Sequence, residues 1–73
     1  MTNPSTLTTI SGVTLYEHPE FGDEFPCLVK VGGNFYDTSF YDPDEGDMEY
    51  VVEMIQEIKA GEGGHEPINF NQA

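Results

Sequence analysis

The stretch that decides the fold is Cys27-Leu-Val-Lys-Val-Gly-Gly-Asn-Phe-Tyr-Asp37, which predicts two antiparallel strands joined by a tight turn. β-Branched and aromatic residues fill both arms, as is typical of strands. Between the arms, the run Gly32-Gly-Asn34 accepts the positive φ angles that a short hairpin turn requires. We therefore expect one strand over residues 25–31 and the next over residues 35–40.

Upstream of this hairpin, residues 7–16 are rich in threonine and in apolar β-formers. They predict a single strand, or two short strands that meet at a turn or bulge around Ser11-Gly12. Residues 1–6 are polar and contain a proline, so we expect a frayed start. Residues 17–24 combine four acids with a proline and a glycine, which predicts a loop.

Downstream of the hairpin, apolar residues recur at helical spacing, as Met48, Val51, Val52, Ile55 and Ile58. The run Asp42-Pro-Asp-Glu45 is a start signal, because its first Asp can cap a helix, its Pro suits the first helical position and its Glu completes a capping box. Gly46 weakens that first turn and could delay the regular helix to Asp47. Gly61 predicts the helix end, and residues 66–71 predict a short last strand.

The predicted order is therefore β-β-β-α-β in a single domain over residues 1–73. An α+β fold follows, in which one helix packs on one face of a small antiparallel sheet. The predicted core is Leu15, Val29, Val31, Phe35, Val51, Val52, Ile55, Ile58, Ile68 and Phe70.

Charge sets the first limit on function. Fourteen acids against two basic residues give a net charge of −12. Direct binding to nucleic acid or to an anionic membrane is excluded in practice, because both need lysine and arginine. The acids then either bind something cationic or serve only solubility. Because 37% of the residues are hydrophobic and 12% are aromatic, a folded domain is favoured over disorder.

Cysteine content and hydropathy set further limits. A single cysteine, Cys27, allows no intrachain disulfide and, with two histidines, no four-ligand Cys/His zinc site. The sequence carries neither the basic start and apolar run of a signal peptide nor an apolar stretch long enough for a membrane span. We therefore expect a cytoplasmic protein that contains no cofactor and no metal.

Two chemical alternatives fit poorly. Counted from Asp42, the acids match positions 1, 3 and 12 of a calcium loop, but Gly46 and Asp47 occupy positions that require an acid or amide and a glycine. Catalysis needs a pocket that shifts the pKa values of its acid and base, and a two-layer domain of this size rarely encloses one. Because His18 and His65 lie in predicted loops, we expect no enzyme.

The acids make better sense as a binding surface. Glu49, Glu53 and Glu57 are spaced by four and line one helix face, with about 6 Å of rise between neighbours, comparable to the spacing of phosphates along a DNA strand. Acids of the loop at 17–24 and of residues 37–47 could widen this row, and Tyr36, Phe40 and Tyr41 could be aromatic anchors. A solvated face with no partner is the alternative. However, like charges at i, i+4 destabilise the helix, and binding of a cationic partner would offset this loss of stability. We therefore favour the binding surface over the solvated face.

Several motifs also resemble a group of small phage anti-CRISPR proteins that inhibit type I-F CRISPR surveillance complexes. They are His18-Pro-Glu-Phe-Gly-Asp23, Val31-Gly-Gly33, Asn34-Phe-Tyr-Asp-Thr-Ser-Phe-Tyr-Asp42, Tyr50-Val-Val-Glu-Met54 and Glu66-Pro-Ile-Asn69. The resemblance runs in matching order over about fifty residues. It implies a compact acidic inhibitor that docks on the Cas8-type subunit where that subunit reads the protospacer-adjacent motif, and that mimics DNA there.

Carried onto this chain, the resemblance implies contacts from Glu20, Asp37, Phe40, Tyr41 and Asp42. Phe40 stands where the family has Tyr, Tyr41 stands where it has an acid, and the segment before the helix is shorter. Together with the acids of the helix start, the predicted partner-binding set is Glu20, Asp37, Phe40, Tyr41, Asp42, Asp44, Glu45, Asp47, Glu49 and Glu53. Two alternatives stay open: an anti-restriction or other DNA-mimic decoy of a DNA-binding protein, and a small phage accessory interaction protein without DNA mimicry.

Overall fold

In a computed structural model, which describes residues 4–68, the chain forms a four-stranded antiparallel sheet followed by one helix. The elements are β1 (Ser5–Ile10), β2 (Val13–Glu17), β3 (Leu28–Val31), β4 (Asn34–Asp37) and α1 (Met48–Ala60), and the strand order in the sheet is β1-β2-β3-β4. The predicted α+β class is confirmed. The element order is β-β-β-β-α, however, and differs from the predicted β-β-β-α-β.

The first hairpin forms because Ser11 and Gly12 both adopt positive φ angles, 52° and 80°, as a two-residue turn between twisted strands requires. Of the two alternatives predicted for residues 7–16, two strands that meet at a turn around Ser11-Gly12 is therefore correct, and a single strand is wrong. The expected frayed start is wrong from Ser5 onward, because Ser5 pairs with Glu17. The register shifts between Thr6 and Thr8, which marks a bulge in β1.

The second hairpin confirms the prediction from its glycines. Gly32 and Gly33 have φ angles of 59° and 85°, and Val31 pairs with Asn34 across them. Both strands are shorter than expected. Pairing continues irregularly beyond them, since the Cys27 N–H donates to the Phe40 carbonyl over 2.8 Å, and a positive φ of 70° at Ser39 prevents a regular strand.

Helix α1 ends as predicted, with Gly61 in the left-handed conformation and its N–H bonded to the carbonyls of Glu57 and Ile58. Its start follows the delayed alternative, with Asp47 at the N-cap position. Asp42 does not cap it; a turn over residues 44–47 precedes the first helical residue, Met48, and the carboxylate of Asp44 closes that turn.

The core lies between the sheet and α1. Its buried members are Leu15, Cys27, Val29, Val31, Tyr36, Met48 and Val51, with Ile55 and Ile58 packed at its side. Full burial of one such apolar side chain contributes about 1.5–3 kcal/mol. Val52, predicted to be buried, is 37% exposed because it falls at the margin of the apolar stripe.

The opposite face of the sheet also carries apolar residues. Leu28 pairs in register with Tyr16, so both side chains lie on the face away from the Leu15 side of the sheet, and Leu28 is fully buried there. Phe35 lies on the same face, half-buried, with its ring 5.1 Å from that of Tyr16 in an edge-to-face contact. The predicted core position of Phe35 is thus wrong, and the burial of Leu28 was not predicted.

The predicted last strand over 66–71 is reduced, among the described residues, to one bridge. The Ile68 N–H donates to the Phe35 carbonyl over 2.8 Å, and Ile68 is half-buried beside β4. The remainder of that strand, with Phe70, lies outside the described residues.

Candidate partner-binding surface

Residues 41–47, here called the acidic connection, are held in one shape by their own carboxylates. The Asp44 Oδ1 atom accepts the N–H groups of Gly46 and Asp47 at 2.9 and 3.2 Å, and the Asp47 Oδ2 atom accepts the Asp44 N–H at 3.1 Å. This reciprocal pairing at a spacing of three is the chemistry of a capping box. Pro43 is buried and anchors the segment, while Asp42, Asp44 and Glu45 stay exposed.

A shallow groove of about 490 Å³ runs between α1 and the β1–β2 turn. We call it the helix groove; its lining is Ser11, Glu45, Met48, Glu49, Val52, Glu53 and Gln56. Glu49 and Glu53 of the predicted carboxylate row, together with Glu45 from the segment before α1, are exposed and border an apolar floor supplied by Met48 and Val52.

A second groove of about 540 Å³ lies on the other side of the β1 hairpin tip. We call it the hairpin groove; its lining is Leu7, Thr8, Ile10, Glu17, Gly22, Asp23, Phe25, Cys27, Tyr41, Asp42 and Pro43. Three carboxylates therefore stand around apolar and aromatic side chains. Tyr41, which the sequence predicted as an aromatic anchor, is 58% exposed at this groove.

The two grooves adjoin. Ile10 lines one and its neighbour Ser11 the other, and the acidic connection supplies Asp42 to the first and Glu45 to the second. We call the carboxylates along this path the acidic surface; they are Glu17, Asp23, Asp42, Asp44, Glu45, Glu49 and Glu53.

Lys30 lies away from this surface, and Lys59 lies one helical turn beyond Gln56, at the end of the helix groove. Lys30 is on the opposite face of the sheet, with its Nζ atom 5.7 Å from the centre of the Phe35 ring. Lys59 is in the last turn of α1, where the helix dipole favours a cation. Neither lines a groove, so within the described part of the chain no basic side chain interrupts the carboxylates along the grooves.

Four residues predicted to bind a partner, or to anchor one, are placed elsewhere. Asp37 lies on the face of the sheet away from α1, and its Oδ1 atom accepts the Ser39 N–H. Phe40 is half-buried against the core, and Tyr36, expected as a surface anchor, is buried in it. Glu20 is exposed on the loop after β2 but lines neither groove.

That loop is ordered by His18. Its Nδ1 atom accepts the backbone N–H groups of Glu20 and Phe21 at 3.1 and 3.4 Å, and its ring lies 4.6 Å from those of Phe21 and Phe25. The arrangement is structural, and it places Asp23 beside the hairpin groove. On α1, the Glu57 Oε1 atom is hydrogen-bonded to His65 Nε2 at 2.9 Å. Glu57, the third member of the predicted carboxylate row, is therefore paired within the chain.

Two exposed aromatic residues were missed. Tyr50 is 63% exposed and follows Glu49 on α1, and Phe21 is half exposed on the loop after β2. Tyr50 falls between the positions of the apolar stripe, so the helical spacing alone could have placed it outward.

Cys27 lies at the base of the hairpin groove but has little nucleophilic character. Burial raises the pKa of its thiol, and the nearby Asp37 carboxylate acts in the same direction, against a hydrogen bond from the side chain of Thr38 at 3.0 Å. A buried thiol with a raised pKa carries little thiolate at neutral pH.

The calcium-loop alternative does not fit the observed helix. Residues from Met48 onward, which would supply the second half of such a loop, are helical. Across residues 4–68, His, Cys, Asp and Glu side chains nowhere gather in a group of three or more that could hold a metal ion.

Within the described part of the chain, no helix has the length and apolar character needed to cross a bilayer. No protein-family model matches the sequence, and the comparisons with curated proteins and with solved structures found no match.

Proposed function

We propose that this protein is a DNA-mimic inhibitor that binds a lysine- and arginine-lined DNA cleft and so blocks DNA binding there. The observation that carries the proposal is the set of carboxylates that line the two grooves, neither of which is lined by a lysine. Carboxylates at successive helical turns present negative charge at intervals that a cleft shaped for phosphates accepts.

The proposed target is the Cas8-type subunit of a type I CRISPR surveillance complex, at the site that reads the protospacer-adjacent motif. The motif resemblance supports this choice, and the acidic surface has the charge that such a cleft requires. Tyr41 and Tyr50 supply exposed aromatic contacts among the carboxylates, the residue type that contributes most at protein interfaces. The mechanism is competitive occupation of the cleft, with no catalysis and no cofactor.

The first experiment measures binding of the full chain to a purified type I-F complex at about 50 and 500 mM salt. Binding should weaken steeply with salt, because the charge pairs of such an interface are screened. Target DNA should compete with the protein. Binding that does not change with salt, or that leaves DNA binding intact, contradicts the proposal. Salt-sensitive binding to a restriction enzyme in place of the complex keeps the mimicry and changes the partner.

A matched pair of double variants localises the surface. Glu49→Gln/Glu53→Gln removes two charges from the helix groove, whereas Glu62→Gln/Glu66→Gln removes two exposed charges at the same spacing beyond the helix. At about 0.5–1 kcal/mol for each charge, the first pair should weaken binding by about five- to thirty-fold, and the second should have little effect. Equal losses from both pairs would show that overall charge is sufficient.

A further inference from the structure

Strand β1 lies in a part of the sequence that has no charged side chains, unlike the remainder of the chain. Residues 1–16 contain no Asp, Glu, Lys, Arg or His, and all fourteen acids lie at or after Glu17. At the other edge of the sheet, β4 is partly covered by the bridge between Phe35 and Ile68. Among the described residues, β1 has one strand neighbour, β2, so its outer edge is open.

This edge lacks most of the features that keep strands apart. Edge strands are commonly protected by charged residues or by proline, and Ser5–Ile10 contains neither. Residues 5–9 are exposed, including Leu7, at 40%. The bulge between Thr6 and Thr8 is the one protective feature, and it leaves residues 8–10 regular.

The backbone of Thr9 is directed at this open edge. Ile10 and Val13 flank a two-residue turn and are therefore the pair that exchanges backbone hydrogen bonds. Because such pairs alternate along an antiparallel ladder, the N–H and C=O groups of Thr9 point away from β2. Its hydroxyl lies 3.4 Å from that of Thr14.

We propose that β1 pairs antiparallel with β1 of a second copy of this chain, so that the two sheets join into one in a homodimer. Thr9 is at the centre of the contact, where its N–H and C=O groups bond to the neighbouring strand. The proposal does not depend on the DNA-mimic function, since it uses the backbone groups along the edge of β1, although side chains of the same strand line the hairpin groove.

Charge repulsion favours a dimer contact through β1 over a contact through other parts of the surface. Two copies with a net charge of −12 repel through any surface that carries carboxylates, and residues 1–16 carry none. Glu17, which pairs with Ser5, is the first acid along the hairpin. Glu17 is three positions from Thr14, the partner of Thr9, so pairing centred on Thr9 places the two Glu17 residues six positions apart, roughly 20 Å. That distance exceeds the Debye length of about 8 Å at physiological salt, so their repulsion is largely screened.

The dimer therefore has a salt dependence opposite in sign to that of cleft binding. Screening weakens the attraction of the acidic surface for a cationic cleft, but it also weakens the repulsion between two acidic copies. Dimerisation should strengthen with salt. Sedimentation velocity of the full chain, over a concentration series at about 50 and 500 mM salt, measures both the mass and this sign.

Two lysine variants isolate the edge. Thr9→Lys and Thr14→Lys add the same charge on the same face, but Thr9 is on the open strand and Thr14 on the interior one. Wild type and Thr14→Lys should reach twice the monomer mass at high concentration, and Thr9→Lys should stay monomeric, because two lysines then face each other across the contact. A wild type that stays monomeric throughout, equal behaviour of the two variants, or association that weakens with salt overturns the proposal.

Amide hydrogen exchange gives a second measure that requires no substitution. In the monomer the Thr9 N–H has no partner across the open edge among residues 4–68 and should exchange rapidly; in the dimer it is hydrogen-bonded, so its exchange should slow as protein concentration rises. The Ile10 N–H, already bonded within the hairpin, is the internal reference. A Thr9 exchange rate that does not change with concentration overturns the proposal.

Discussion

The apolar layer beneath α1 and the acidic surface beside it are built from neighbouring residues of the same elements, yet they differ in what they contribute. On α1, Met48 is buried and Glu49 is exposed, and Val51 is buried while Val52 borders the helix groove. The buried members stabilise the fold by leaving water, whereas the exposed carboxylates repel one another and weaken it. Residues that stabilise the fold and residues of the proposed binding surface thus alternate along the chain but occupy different surfaces, so substitutions should separate the two roles.

The largest expected effect comes from breaking the apolar layer. Leu15→Ala should lower the free energy of unfolding by about 2–5 kcal/mol, because Leu15 is fully buried and a cavity would remain. A loss of this size can unfold a domain this small. Urea denaturation at low protein concentration measures it.

Leu7→Ala is the matched control for that change, because it is the same substitution in the same hairpin at an exposed position. Its cost should be below about 1 kcal/mol. If both variants lower the free energy of unfolding equally, burial of Leu15 beneath α1 does not stabilise the hairpin more than the exposed Leu7 does.

A smaller effect should come from Asp44, which belongs to both regions. It is an exposed acid beside the grooves, but its carboxylate also accepts the N–H groups of Gly46 and Asp47. Asp44→Ala should therefore cost about 0.5–2 kcal/mol, as the loss of a helix cap does. Urea denaturation again provides the measurement.

Two controls separate the roles of Asp44. Asp44→Asn keeps an acceptor oxygen and should retain most of the stability, while Asp42→Ala removes an exposed carboxylate that makes no hydrogen bond within residues 4–68. If Asp42→Ala is as costly as Asp44→Ala, the turn over residues 44–47 does not depend on the Asp44 carboxylate.

The parts of the fold that follow from local chemistry were predictable from sequence. Gly32 and Gly33 predicted the second hairpin, and Gly61 predicted the end of α1, because few other residues accept positive φ angles. The helix start was harder. Three Asp residues within six positions, Asp42, Asp44 and Asp47, all suit a cap, and the sequence alone does not indicate that Asp44 and Asp47 are the two that pair.

Features that depend on distant contacts were not predictable in this way. The burial of Leu28 requires side chains on the face of the sheet away from α1, which periodicity in β3 does not reveal. The same holds for the site. Helical spacing predicted the row of Glu49 and Glu53, but the two grooves exist because the β1 hairpin lies beside the acidic connection, some thirty residues away in sequence.

The smallest expected effect tests the comparison most sharply. Glu53→Gln should leave the free energy of unfolding unchanged or raise it by about 0.2–0.5 kcal/mol, because it removes the i, i+4 repulsion with Glu49 and keeps Glu49 in the first turn, where the helix dipole favours an acid. Added salt should reduce the difference between the variant and the wild type, since it screens the repulsion in the wild type alone. Thermal denaturation at low and high salt measures both quantities. A variant less stable than the wild type would mean that the Glu53 carboxylate supports the helix, and that stability and recognition share the same residues after all.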